Sequence, residues 1–391
     1  MGNSSRYELA GSRGRGPVRR LRASAGLRRA LRAAAEEGPR LGLLPFAVGG
    51  CVRDWLLGAE VKDLDVVVEG DPAPLARLCA ARLGGQVETF DRFGTLRALA
   101  PGGLRVDFVR ARAETYPAPA ALPVVEPSTL RADLARRDFT INAMAAAIGP
   151  TGFGEVVDPF GGRADLAAGL VRVLHAASFE DDPTRLFRAA RFATRLGFRL
   201  ERSTAAAFRL AVRGGGPARL SRERLRNELA RVLEESDPVP ALVRLRSSGL
   251  ARSLDPRLAW PKGLSKGPAP AERLGLIALA MGPERGASFV RSLHLERAES
   301  LALLEALETA RTRASPRVEL APLARRVLEL ALGGLPSAAL EPVLLGGDDL
   351  KAAGVVPGPA YRRRLEAAAR AQWRGRFSNK AAALRWLRAR L

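Results

Sequence analysis

Residues 46–70 read FAVGGCVRDWLLGAEVKDLDVVVEG, and few folds accommodate that order of signals. An apolar, strand-like run, Phe46-Ala47-Val48, meets two glycines, Gly49 and Gly50. A helix-like segment follows from Val52 to Leu57, and Gly58 stops it. Asp63-Leu64-Asp65 then leads into the β-branched run Val66-Val67-Val68. Glycines at a strand-to-helix turn let backbone N–H groups approach a phosphate. Acids at i and i+2 of a strand share one face, with Cα atoms about 6.5–7 Å apart. Two carboxylates so placed can grip Mg²⁺, which takes its remaining ligands from phosphate and water. The stretch therefore points to an α/β unit built for metal-assisted chemistry on a nucleotide.

The rest of the composition narrows the class. At 391 residues and 47% hydrophobic content, the chain is long enough for two to four domains with real cores. No run approaches the ~18 apolar residues of a membrane span. The first residues lack the apolar core of a secretory signal, so the cytoplasm is the expected compartment. Two cysteines, Cys51 and Cys79, exclude a disulfide scaffold, and two histidines exclude a Cys/His zinc site. The net charge of +22 calls for a polyanionic partner, most naturally nucleic acid. Only five of the 63 basic residues are Lys, as codon bias would produce, but such bias does not explain the excess over acids.

Taken in order, an Arg-rich start to about residue 40 reads as a basic, flexible extension, with Leu21 to Ala35 as a helix. Phe46 to Leu174 alternates helix and strand signals. Ala73 to Leu83 predicts a helix closed by Gly84-Gly85. Val87 to Phe90, Thr95 to Ala100 and Leu104 to Val109 read as strands, the last two joined by Pro101-Gly102-Gly103. Alternation puts Leu104, Val106 and Phe108 on one face and Asp107 on the other. A third carboxylate facing an Asp-x-Asp pair suits a two-metal site. Ala113 to Pro127, with four prolines, reads as a loop, and Val171 to Leu174 as a last strand. From Asp181 the signals turn all-helical. Asp182-Pro183 opens a helix to Leu196. On a 100° wheel, Arg185, Arg188, Arg191 and Arg195 fall opposite Leu186, Ala189, Ala190, Ala193 and Leu196. That predicts four guanidiniums pointing away from the core. Further helices are expected over Ser203–Val212, Arg222–Glu234 and Pro238–Gly249, with a loop over Pro256–Pro270.

These motifs, in this order, resemble the class II tRNA nucleotidyltransferases of the polymerase-β-like superfamily: the CCA-, CC- and A-adding enzymes and the bacterial poly(A) polymerases. Five motifs carry the resemblance. They are GGxxRDxxLG with DxD (Gly49 to Gly58, then Asp63 and Asp65), RRDFTxNA (Arg136 to Ala143), DPFGGRADL (Asp158 to Leu166), the base-template motif at Asp181 to Arg185, and LSRERLRNEL (Leu220 to Leu229). Asp181 stands where the family has Glu. Gly346-Gly347-Asp348-Asp349-Leu350 is a weaker echo of a tail motif.

The resemblance implies a mixed α/β nucleotidyltransferase head followed by an all-α neck, body and tail, with boundaries at 1–40, 41–175, 176–249 and 250–391. It implies Asp63 and Asp65 as metal ligands and Asp107 as the third active-site carboxylate. Gly49, Gly50, Arg53 and Asp54 would border the triphosphate. Arg137, Asp138 and Asn142 would read the ribose and hold phosphates. Asp182 and Arg185 would template the incoming base, with Arg188 and Arg191 adding charge. The cofactor implied is Mg²⁺. The partners implied are CTP and/or ATP and the acceptor arm and 3′ end of tRNA, with no membrane; protein partners are unspecified. The expected reaction adds C and/or A to the tRNA 3′ end and releases pyrophosphate. A poly(A) polymerase is the nearest alternative, disfavoured because residues 91–96 lack a GRRFxLxH segment. A non-catalytic RNA-binding relative would be expected to lose an acid that is present here.

Overall fold

The basic helix expected from Leu21 forms slightly later, as α1 (Ala25–Arg40), capped by the Ser24 hydroxyl accepting from the Leu27 N–H at 3.1 Å. Leu27, Leu31 and Ala34 are buried, and Arg82 of α3 (Ala73–Leu83) meets Glu37 at 2.6 Å. α1 thus packs as part of the head and does not stand apart as an extension. The computed structural model describes residues 20–89, 94–264 and 267–391. Residues 1–19 of the Arg-rich start, Phe90 at the expected end of a strand, and the Asp91-Arg92-Phe93 segment lie outside them, as do residues 265 and 266 of the expected loop.

Described residues through Arg219 form one compact unit. Its centre is a seven-stranded sheet in the order β3-β4-β5-β2-β1-β8-β9. The strands are β1 (Phe46–Val48), β2 (Leu64–Val68), β3 (Gln86–Thr89), β4 (Leu96–Ala100), β5 (Leu104–Arg110), β8 (Ala145–Gly149) and β9 (Gly152–Val157). β2 and β5 run parallel; the other neighbours are antiparallel. All three residues of β1 are buried, as suits an interior strand. Between β1 and β2 lies α2 (Gly50–Leu56). Cys51 and Cys79 are both free and buried.

The Pro-rich stretch after β5 is not all loop. β6 (Arg112–Thr115) and β7 (Val124–Pro127) pair as an antiparallel ribbon. Pro117, Pro119 and Pro123 fall in its connecting turn, and Pro127 ends its edge, where a missing N–H costs no ladder bond. α4 (Leu130–Ala135) and a 3₁₀ turn (Thr140–Asn142) lead into β8. After β9, Asp158 accepts from the Gly162 and Arg163 N–H groups at 2.7 and 2.9 Å and starts α5 (Gly162–Ala168).

Strands do not end at Asp181. β10 (Leu170–Val171) pairs in parallel with β11 (Arg199–Leu200), which lies beyond α6 (Ser178–Asp181) and α7 (Thr184–Arg195). The pairing ties α7 into the head, and α8 (Arg202–Arg213) closes the unit.

Leu220 onward forms the second compact unit, in which every described regular element is a helix. It comprises α9 (Arg222–Leu233), α10 (Val239–Ser247), α11 (Ala251–Leu254), α12 (Pro270–Ala280), α13 (Pro283–Ser292), α14 (Arg297–Thr312), α15 (Pro322–Ala331), α16 (Gly347–Ala352), α17 (Pro359–Trp373) and α18 (Lys380–Arg388). Proline opens α12, α13, α15 and α17, where its fixed φ and missing N–H are tolerated. The GGDDL echo has a local reason: Asp349 caps α16 through the Gly346 N–H at 2.7 Å and pairs with Lys380. No helix among the described residues is long and apolar enough to cross a membrane.

Candidate active site

The sheet fixes the acids first. Because β2 and β5 are parallel neighbours, Asp65 and Asp107 are register partners. Asp63 precedes β2 and does not sit within it, because the strand begins at Leu64. The hairpin of β4 and β5 sets Arg97 opposite Asp107. Arg97 Nε and Nη2 donate to the two oxygens of Asp107, each at 2.7 Å.

Asp65 is exposed as a residue, although protein crowds its carboxyl enough to strip water from it. Desolvation is the main force pushing its carboxyl up to about 6; Arg137 opposes that, Asp107 and Asp63 add to it, and Arg97 opposes it more weakly. Among the described residues no three acids, histidines or cysteines form a ready-made metal cage. The donor set nevertheless suits a hard divalent cation: the side-chain ligands are all carboxylate oxygens, and a cation would relieve both the desolvation and the repulsion at Asp65.

The turn above these acids is built around Arg137. Gly49 has φ 75°, and a Cβ there would come within 2.6 Å of Arg137 Nη1. The position therefore needs glycine for backbone and for space. The Gly49 N–H itself is taken by the Met144 carbonyl at 3.1 Å. Arg137 Nη2 holds Asp133 at 2.9 Å, while Arg137 Nε is buried without an acceptor. A buried donor left unmatched beside a glycine turn is what an anion would satisfy.

A second cluster joins α2, the 3₁₀ turn and α7. Arg53, 3% exposed, donates to Asn142 Oδ1 at 2.6 Å and to Asp54 at 2.9 Å. Asn142 donates to Asp138 at 3.0 Å, and Arg188 meets Asp138 at 2.6 Å. Burial pushes the Asp138 carboxyl up, but Arg188, Asn142 and Arg185 together hold it below the usual carboxylate range. The guanidiniums of Arg53, Arg188 and Arg191 lie 5.1, 5.4 and 4.8 Å from the centre of the Phe192 ring.

The third cluster surrounds the start of α7. Asp182 Oδ1 accepts from the N–H and hydroxyl of Thr184 at 3.0 and 2.6 Å, and its Oδ2 is 4.0 Å from Arg185 Nε. Arg185 Nη1 donates to Ser178 at 2.6 Å, and Nη2 to the Arg136 carbonyl at 3.0 Å and the Tyr116 hydroxyl at 3.5 Å. Tyr116 donates to Glu114 at 3.2 Å, and Glu114 accepts from Arg136 at 2.8 Å. Asp181 lies 3.8 Å from His175 Nε2.

One expectation fails here. Four guanidiniums on α7 were to point away from the core, yet Arg185 and Arg191 are 4% and 8% exposed and Arg188 is half-buried. Only Arg195 of the four is exposed. The helix is covered on both sides: its apolar face by core, its basic face by the loop carrying Asp138 and the ribbon carrying Tyr116. The wheel sees only one of those partners.

Residues 45–172 match the model of the "Poly A polymerase head domain", and residues 197–260 match the "Probable RNA and SrmB- binding site of polymerase A". The head and the segment that follows it resemble those of the tRNA nucleotidyltransferases and poly(A) polymerases. Over 228 residues it is 47% identical to an A-adding tRNA nucleotidyltransferase of Geobacter sulfurreducens, covering 58% of this chain and 26% of that protein. A CC-adding tRNA nucleotidyltransferase of the same organism is 37% identical over 211 residues, 53% of this chain and 44% of that protein. The chain thus spans less than half the length of these two family members. It is also similar to a CCA-adding enzyme in an apo form, with TM-score 0.69 and 27% identity over 95% of this chain and 97% of that one. The matched residues 45–172 fold as the mixed sheet with helices described above.

Sequence reasoning passed over Arg97, Asp133, Tyr116, Ser178 and Phe192. Two of these carry a signal. The turn at residues 101–103 pairs position 100 with 104, and counting back from it pairs 97 with 107. Asp133 stands three and four residues before Arg136 and Arg137, the helical spacing for ion pairs.

Proposed function

We propose that this chain is a template-independent tRNA nucleotidyltransferase. The 3′-hydroxyl of tRNA attacks the α-phosphorus of CTP or ATP, a new phosphodiester forms, and pyrophosphate leaves. The observation that carries this reading is the register of Asp65 with Asp107 on parallel strands, beside the Gly49 turn and Arg137.

Asp63 and Asp65 would hold the divalent cation, Mg²⁺ in this reading, with Asp107 as the third carboxylate. When bound, the metal supplies Lewis-acid activation of the attacking hydroxyl and charge neutralisation on the leaving oxygens. Gly49 and Gly50 shape the turn that admits the phosphates. Arg137 donates to them through its unmatched Nε, and Arg53, Arg185, Arg188 and Arg191 raise the positive potential around them. Asp54 orients Arg53. Asp138 and Asn142 face the ribose as a hydrogen-bonded pair. Asp182 and Arg185 select the base: a carboxylate accepts from the exocyclic amine shared by C and A, and a guanidinium donates to ring acceptors. The surplus of arginine favours holding the tRNA by its phosphates and shape.

The A-adding relatives, at 47% and 43% identity, resemble this chain more than the CC-adding one at 37%. The favoured substrate pair is therefore ATP with tRNA ending in CC. The test offers tRNA ending before CCA, after C, or after CC, with Mg²⁺ and CTP or ATP supplied separately. One added A on the CC-ended tRNA supports the reading, and C addition widens it to the other branches. A long A tail on generic RNA would replace it with poly(A) polymerase, and no extension of any substrate would overturn it.

A further inference from the structure

The acid proposed as third carboxylate does not wait empty-handed: both oxygens of Asp107 lie on one guanidinium. We infer that Arg97 is a built-in counter-cation for the Asp63-Asp65-Asp107 cluster, one that holds Asp107 until a divalent cation arriving with the nucleotide displaces it. The inference rests on the proposed metal role of Asp63 and Asp65 and adds a residue and an exchange step to it.

Three observations support a displaceable pair over a structural one. First, Arg97 faces the whole cluster. It is the cross-strand register partner of Asp107, which is in turn the register partner of Asp65. Second, the pair is accessible, with side chains of Arg97 and Asp107 18% and 22% exposed. Asp133 makes the contrast: wholly buried and shared by Arg136 and Arg137, it forms a lock that could not open without stranding a buried charge. Third, the fork occupies one lone pair on each Asp107 oxygen, so a metal approaching that edge of the carboxylate would have to turn Arg97 aside.

The experiment titrates Mn²⁺ into the full-length protein without nucleotide, read by electron paramagnetic resonance or calorimetry. The variants are Arg97→Met, Asp107→Asn, the double mutant and Asp65→Asn. Removing the competitor should tighten Mn²⁺ binding roughly tenfold, since a charge-assisted pair no longer has to be broken. The gain should vanish in the double mutant, which should match Asp107→Asn. Arg97→Lys, which keeps the charge but loses the fork, should fall between wild type and Arg97→Met, and it carries the test if Arg97→Met does not fold. Equal or weaker Mn²⁺ binding by the Arg97 variants, with Asp65→Asn still weakening wild-type binding, would overturn the counter-cation and leave the proposed metal site standing. Mn²⁺ binding indifferent to Asp65→Asn would overturn both.

Discussion

The two ends of the head's site are electrostatic opposites. At the ends of β2 and β5, three acids gather with Arg97 and Arg137 as the cations facing them, and the Asp65 carboxyl is pushed up to about 6. Against α7, each acid is outmatched. Asp133 is shared by two arginines and Asp138 is gripped by Arg188, and although burial pushes both carboxyls up, those guanidiniums hold both below the usual range. Among the described residues, the first end sets three acids against two arginines and the second carries positive charge in excess, with the Arg137 Nε unmatched between them. The contrast teaches what each end can accept. One fits a cation, the other fits an anion, and a metal–nucleotide complex presents both.

The sharpest way to break this contrast is Asp65→Asn. Transfer should fall by at least about a hundredfold, the scale for losing a group that organises transition-state charge. The same change should stabilise the protein. A carboxyl whose folded pKa lies above its unfolded value favours folding fully only below about pH 4 and loses that advantage as pH rises through about 6. The variant's melting temperature should therefore match wild type below pH 4 and exceed it by about 2 °C at pH 7.5, after discounting for solvent screening. Loss of stability at neutral pH would contradict the picture.

At the other end the sign reverses. Asp138→Ala removes an ion-pair partner of Arg188 and takes their acceptor from the Phe139 N–H and Asn142. Denaturation should show a loss of about 3–5 kcal/mol, as expected when one partner of a buried pair is removed. Gly49→Ala strikes the junction. With φ at 75° and a Cβ 2.6 Å from Arg137 Nη1, it should raise KM for the nucleotide about tenfold through the misplaced guanidinium. The smallest effect expected is that of Tyr116→Phe. Losing the hydroxyl between Glu114 and Arg185 should cost about 1 kcal/mol of Arg185 placement, read as a several-fold loss of discrimination against UTP and GTP. Unchanged discrimination would remove Tyr116 from that role.

What sequence could say about these ends differs for physical reasons. The strand–glycine–helix turn and the faces of Asp65 and Asp107 are local signals, and period-two alternation reads those two acids directly, whereas Asp63 lies just before β2. The α7 end is assembled from segments about 50 and 70 residues apart: Asp138 reaches Arg188, and Tyr116 reaches Arg185. No periodicity reports that. The helix wheel was right about which residues share a side and wrong about what lies on that side. The ribbon of β6 and β7 was hidden by prolines that its turn and edge accommodate. Arg97 was legible in principle, from counting back across one hairpin.

The central claim is that the cation-accepting and anion-accepting ends are separate. Equilibrium binding of ATP to wild type and Asp65→Asn, each with and without Mg²⁺, tests it directly. The account predicts that Asp65→Asn binds metal-free ATP as well as wild type or better, because a repelling charge is gone, and that Mg²⁺ no longer strengthens binding. Weaker metal-free binding, or a Mg²⁺ enhancement that survives the substitution, would contradict it.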